Sequence, residues 1–240
     1  MIAVLVAAFI LLLVGLWVFW IEPLAVLGVL ERLTPNLVYR VRTERPLVAL
    51  SFDDGPHPEF TPQVLEILER HDAKATFFLI GERALSHPEE VSRIKAAGHE
   101  VGNHYFRNGP TLLHSDTEFA RNLVKTERAL GIAEGRKLFR PPGGVGWPGQ
   151  LRLARSEGYD CVLGCAYPHD PMRLPKWYIE WLIVKNLRPG TIVILHDGIS
   201  DPRRSIQALP HILGAGREKG LRFVSIGGLM IAAVEQKNTK

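Results

Sequence analysis

The chain has 240 residues, room for one globular domain or one domain with an appendage at roughly 100–200 residues per domain. Hydrophobic residues make up 46% and charged residues 22%, which excludes a disordered chain. Lys plus Arg number 29 against 25 Asp plus Glu, and this mild excess of +4 contains no basic run of the kind that binds nucleic acid, so no nucleic-acid partner is expected.

Met1 to Ile21 carry no charged side chain. As a helix at about 1.5 Å per residue this stretch is about 31 Å long, matching a hydrocarbon core of about 30 Å. Trp17 and Trp20 stand near its end, where amphipathic rings favour the interface. No Lys or Arg precedes the run and Leu16 to Ile21 make a poor cleavage site, so a single-pass anchor is expected rather than a cleaved signal peptide. The expected organisation is an anchor over 1–30, a linker over 31–45 and a folded domain over 46–240. Arg32, Arg40, Arg42 and Arg45 follow the apolar run, and the positive-inside rule alone would keep the domain cytoplasmic.

Strands are expected at Leu47–Phe52, Ala75–Ile80, Lys137–Arg140, Asp160–Gly164, Thr191–Leu195 and Leu221–Ile226. Between them, Thr61-Pro62 opens a helix with Thr61 as its N-cap, and Pro88 opens another that stops at Gly98. Ser115-Asp116-Thr117-Glu118 forms a capping box for a helix that runs to about Leu130 and closes at Gly131. Further helices are expected near 148–157, 175–187 and 203–218. Strands alternating with helices predict an α/β fold on a parallel sheet, open or closed into a barrel. Cys161 and Cys165 are too few for a disulfide framework and read as buried thiols.

In such folds chemistry collects at the carboxyl ends of the strands. Ser51-Phe52-Asp53-Asp54-Gly55-Pro56 puts two carboxylates at one strand end, where they repel unless a cation neutralises one of them. The spacing fits an ordinary Asp-Gly turn equally well. Gly98 to Asn108, directly after a short strand, holds His99, Glu100, Asn103, His104 and Asn108. His with Asp is a normal donor set for zinc or a similar divalent ion. Arg140-Pro141-Pro142-Gly143-Gly144 follows a strand with a rigid turn whose glycine amides can approach a ligand. Ile194-Leu195-His196-Asp197 delivers a histidine, the natural acid or base near neutral pH, to a fourth strand end. Together these residues are what metal-assisted hydrolysis needs.

The set, in this order, resembles the NodB-type polysaccharide deacetylases, carbohydrate esterase family 4. The likeness runs from about Val48 to the C-terminus. S-F-D-D-G at 51–55 resembles the family's first motif, G-H-E-V-G-N-H at 98–104 the entry to its second, R-P-P-G-G at 140–144 its third and I-L-H-D at 194–197 its fifth. The resemblance implies a distorted (β/α) barrel of about seven parallel strands that hydrolyses an N-acyl group with a divalent metal. Carried over by position, Asp53 is the general base, Asp54 and His104 are metal ligands, and Arg140 pairs with and orients Asp53. His196 protonates the departing amine, Asp170 orients His196, and the Gly143 N–H completes the oxyanion site.

Four positions depart from the family pattern. The final His of the second motif is Asn108, whose neutral amide is a poorer zinc donor than imidazole and favours manganese or magnesium. His114 is the neighbouring alternative ligand. The Asp-Trp of the fourth motif appears as Asp170-Pro171, Ile194 stands where Leu is usual in the acyl pocket, and Gly143 replaces a Tyr. The resulting expectation is a membrane-anchored enzyme, its domain outside the cytoplasm, that deacylates an amino-sugar polysaccharide, oligosaccharide or glycolipid. A glycan-binding scaffold that has lost its metal is the alternative.

Overall fold

The structure, a computed structural model, describes residues 24–132, 136–144, 146–199 and 201–239, together with Phe9 and Gly15. It divides into two compact units, residues 1–35 and 36–240. In the first, the described helix is α1 (Leu24–Leu33), whose end is held by the Thr34 hydroxyl on the Leu30 carbonyl at 2.6 Å. Most of the expected anchor, up to residue 23, lies outside the described residues. Among the described residues no helix is long and apolar enough to cross a membrane.

The second unit is built on seven parallel strands: β1 (Leu47–Gly55), β2 (Thr76–Leu79), β3 (Glu100–Asn103), β4 (Lys137–Phe139), β5 (Tyr159–Cys161), β6 (Ile192–His196) and β7 (Arg222–Val224). Their order is β5-β4-β3-β2-β1-β6, with β7 paired to the first half of β1. Ala166, just past β5, bridges to Val193 in β6, and this contact draws the sheet into a barrel-like form. The segment before β1 fills the remaining gap through bridges of Val38 to Val162 and Arg40 to Thr191.

Around the strands run α2 (Phe60–Arg70), α3 (Gly81–Ser86), α4 (Pro88–Ala96), α5 (Asp116–Leu130), α6 (Pro148–Ser156), α7 (Lys176–Asn186), α8 (Arg203–Glu218) and α9 (Ile226–Asn238). All nine residues of β1 are buried, as expected for a parallel strand covered on both faces. Alternation splits it: Val48, Leu50 and Phe52 pack with Val64 and Leu68 of α2 and Leu209 and Ile212 of α8. Leu47 and Ala49 meet Phe78, Ile192 and the α9 residues Ile226 and Leu229 on the other face. Ser51 and Asp53 share the parity of Leu47 and Ala49, so they lie on the inner face near the carboxyl end.

Several boundaries differ from expectation. The Gly98–Asn108 run contains strand β3 rather than following it. Its polar side chains are engaged: Glu100 accepts from Thr76 Oγ1 at 2.5 Å, and Gly102 leaves room for the Phe78 ring, which a Cβ would meet at 2.6 Å. Helix α2 begins at Phe60, and Thr61 does not cap it, because its hydroxyl serves Asp197 instead. α3 and α9 carry no strong sequence signal. The apolar pattern of β7 runs on into the small and apolar residues of α9, and the change to helix is made at Ser225, which accepts from the Gly228 N–H at 3.1 Å. The Ser115 cap and the left-handed Gly131 close α5 as expected. Cys161 and Cys165 are both buried free thiols.

Candidate active site at the carboxyl rim

Strand register sets the site. Asp53 pairs in register with His196 on one side and Phe78 on the other, so the Asp53 and His196 backbones lie about 4.8 Å apart. One step further, Leu79, Asn103 and Phe139 align across β2, β3 and β4. His104 and Arg140, the residues immediately after Asn103 and Phe139, therefore emerge at the same level as the β1 carboxylates.

Arg140 is fully buried and spends its donors inward. It donates to Asp53 Oδ1 at 2.5 Å, Ser51 Oγ at 2.8 Å, the Leu163 carbonyl at 2.5 Å and the Val162 carbonyl at 3.3 Å. Ser51 passes its own proton to the Val193 carbonyl at 2.7 Å, tying the pair to β6. Burial pushes the Arg140 pKa down while the Asp53 carboxylate opposes that shift. A buried pair of this kind holds only when the other donors are paired, and each of the three guanidinium nitrogens has a partner. Asp53 Oδ2 carries no hydrogen bond among the described residues.

Asp54 follows with φ of 68°, a left-handed conformation uncommon outside glycine, which turns its carboxylate to the same mouth as its neighbour. Its Oδ1 lies 3.4 Å from His104 Nε2. His104 Nδ1 donates to the Arg140 carbonyl at 2.9 Å, since a carbonyl only accepts, and this fixes the ring with Nε2 toward the Asp54 oxygen. A proton on Nε2, or a cation between the two atoms, satisfies both at that separation. A carboxylate and an imidazole fixed by a backbone carbonyl are the donors a divalent ion uses, and the residues fit one. Burial raises the Asp54 pKa, but His104, His196 and Arg83 outweigh it and hold the carboxyl below its ordinary value.

His196 donates through Nδ1 to Asp170 Oδ1 at 2.9 Å, and its backbone N–H donates to Asp170 Oδ2 at 3.0 Å. Ser205 Oγ adds a third bond to Oδ2 at 2.7 Å. Burial alone would lower the His196 pKa; Asp170, with Asp53 and Asp54, raises it to about 9. The ring is an imidazolium at neutral pH. Its neighbour Asp197 is fully buried and pushed up to about 7, by burial first and then by the Asp54 charge; Thr61 Oγ1 donates to Oδ2 at 2.5 Å, and Oδ1 has no partner among the described residues.

The other expected positions fall around this cluster. Gly143 is exposed, with φ of 65° and open space where a Cβ would stand. Ile194 is buried in β6, pairs in register with Ser51 and packs on Gly164, whose Cβ would lie 2.6 Å from it. Asn108 is exposed and lines a cavity of about 300 Å³ with Gly109, Pro142 and Gly143. Asn103 and His99 are structural: Asn103 bonds the Leu123 carbonyl and Tyr159, and His99 accepts from the Ala75 N–H with its pKa lowered by burial to about 4. His114 is occupied by the Tyr105 hydroxyl at 2.8 Å, which explains its presence without a metal. Ser51, Ser205, Thr61 and Arg83 escape sequence reasoning. Arg83, on the unforeseen α3, donates to the carbonyls of Asp54 and Gly198 and clamps the ends of β1 and β6 together.

The pattern of the polysaccharide deacetylase family matches residues 40–162. A peptidoglycan-N-acetylglucosamine deacetylase of Bacillus cereus is 35% identical over 210 residues, covering 82% of this chain and 94% of that protein. A chitooligosaccharide deacetylase of Sinorhizobium fredii is 35% identical over 164 residues, 67% of this chain and 76% of that one. A crystal structure of a peptidoglycan N-acetylglucosamine deacetylase, in complex with an N-oxidanyl-benzamide, superposes with a TM-score of 0.77 at 31% identity over 81% of this chain and 92% of that one. With its parallel barrel and a rim of Asp53, Asp54, His104, Arg140 and His196, the chain belongs to the polysaccharide deacetylase family of metal-dependent hydrolases.

Proposed function

We propose that this protein is a membrane-anchored deacetylase that removes the acetyl group from N-acetylated amino sugars of a peptidoglycan or chitooligosaccharide type. The observation that carries the reading is the opposition, across one pair of neighbouring strands, of a carboxylate with a free oxygen and a protonated imidazole: Asp53 held by Arg140, and His196 held by Asp170. Amide hydrolysis needs both, a base for the attacking water and an acid for a leaving amine too basic to depart alone.

Asp54 and His104 would hold a divalent ion, with the Asn108 amide oxygen as the third protein donor, in place of the usual imidazole. When bound, that ion supplies Lewis-acid polarisation of the amide carbonyl and makes water easier to deprotonate. Asp53 Oδ2 takes the water proton while Arg140 keeps Oδ1 in place. The Gly143 N–H meets the developing oxyanion, and Ile194 forms part of the wall around the acyl methyl. His196 Nε2 then gives its proton to the sugar nitrogen, and Asp170 steadies the imidazolium until it does. An oxygen-rich donor set moves metal preference from zinc toward manganese or magnesium.

The uncharged stretch Met1–Ile21 supports a single-pass anchor, and a polymeric cell-surface substrate supports a domain on the outer side. Reporter fusions after Lys240 test the orientation: activity of a cytoplasm-only reporter overturns it. Acetate release from N-acetylated oligosaccharides and peptidoglycan fragments with added metal tests the activity. Release no greater than that of Asp53→Asn overturns it.

A further inference from the structure

We propose that a basic cavity at the opposite end of the barrel binds the phosphate of an anionic phospholipid headgroup, an inference that rests on the membrane-anchored reading. The cavity, of about 580 Å³, lies where β1 and β6 begin and is lined by Arg40, Arg42, Arg188 and Lys237, with Glu44 and Gln236 at its side. Arg188 is the decisive residue. Its guanidinium makes no hydrogen bond and no ion pair among the described residues, and its Nη2 is buried. A buried donor left unpaired is rare and costly, and a planar guanidinium is shaped to grip a phosphate through two parallel N–H groups.

The surroundings are built for such a guest. Burial, with Arg40 close by, lowers the Arg188 pKa, so an anion beside the Arg188 guanidinium would ease it. Glu44, which accepts from the Gln236 amide at 3.1 Å, is the one acid among the lining residues, and four cationic side chains outnumber it. Backbone contacts tie the cavity wall together: Arg40 bridges to Thr191, and the Val41 N–H donates to the Gly190 carbonyl at 2.9 Å. Gly190, at φ of 84°, passes so close to Val41 that a Cβ would lie 1.9 Å from its carbonyl oxygen. A lipid source is favoured over a soluble one because Arg40 and Arg42 follow shortly after the apolar N-terminal stretch. The catalytic rim stands six residues further along β1, about 20 Å at 3.3 Å per residue. A headgroup held here would aim the rim away from the bilayer, toward polymer.

The test uses the full chain in a zwitterionic detergent, with phosphorus NMR line broadening as the readout at constant ionic strength. Turnover plays no part, so failure of the deacetylase reading would not be confused with failure of the site. Dihexanoyl phosphatidylglycerol, dihexanoyl phosphatidylcholine and inorganic phosphate are titrated in parallel. Phosphatidylglycerol is expected to bind at least about tenfold more tightly than the other two, with that preference lost in Arg188→Gln and weakened by about threefold in the surface variant Lys237→Gln. Equal affinity for phosphatidylglycerol and inorganic phosphate would overturn the lipid assignment in favour of a free oxyanion. Binding that is absent, or unchanged in both variants, would overturn the site altogether.

Discussion

Both oxygens of Asp170 are committed to His196, Oδ1 to the ring Nδ1 at 2.9 Å and Oδ2 to the backbone N–H at 3.0 Å. One carboxylate thus fixes the position of the residue and the orientation of its ring, and it supplies the charge that raises the His196 pKa against burial to about 9. The Trp that follows this Asp in the family is replaced by Pro171, and the Asp170–His196 contact does not depend on it.

In the proposed mechanism the acid form of His196 is the active one, so turnover should fall as pH rises through about 9. In Asp170→Asn the anion is gone and burial dominates, which moves this alkaline limb below neutrality and lowers turnover at pH 8 by about 10²-fold. The same shift appears in stability with a definite sign. The native pKa lies above the ordinary 6.5, so the stabilisation is fully present below that value and is lost as pH rises through about 9. Rate and melting profiles from pH 6 to 10 for both proteins check this.

Removing Arg140 should do more harm than removing its partner's charge. Arg140→Met strands the Asp53 carboxylate in a buried site and should cost about 3–5 kcal/mol in denaturant unfolding. Asp53→Asn keeps an acceptor for Arg140 and leaves Asp54 and His104 untouched. It should reduce turnover by about 10²–10⁴-fold with metal affinity unchanged. Comparing unfolding, calorimetric metal titration and acetate release separates the two effects.

Gly198 sits where the end of β6 crosses the end of β1, and a Cβ there would lie 1.8 Å from the Asp54 carbonyl oxygen. Both neighbours are backbone, so Gly198→Ala should displace Asp54, weaken metal binding and cost about 1–3 kcal/mol in stability. Gly214→Ala, in α8 with nothing within 4 Å of the added methyl, should instead gain up to about 1 kcal/mol. Thermal melts and zinc titrations of the pair test the contrast.

Asn108→His restores the imidazole that the family carries at this position. If the Asn108 amide is replaced in this way, zinc affinity should rise at least about tenfold, and the manganese preference should fall with it. Calorimetric titration of both ions into each protein measures this, and equal zinc affinities would remove Asn108 from the metal's donors.

The chemistry-bearing residues Asp53, Asp54, Arg140 and His196 are readable from sequence because each directly ends a strand whose apolar run announces it. Their closest supports are not. Ser51 serves a carbonyl 142 residues away, Thr61 a carboxylate 136 away and Ser205 one 35 away, and nothing local to a serine or threonine reveals such a partner. The α/β class follows from alternating patterns, and so do the Ser115 cap and the Gly131 stop. Barrel closure through Ala166 and Val193 does not, since it depends on strand twist and on which edges meet. The strand β3 is hidden for a related reason, its polar side chains being buried only because Thr76, Leu123 and Tyr159 come to meet them. Local sequence determines periodicity and caps within a few residues, whereas the satisfaction of buried polar groups is a property of the assembled fold.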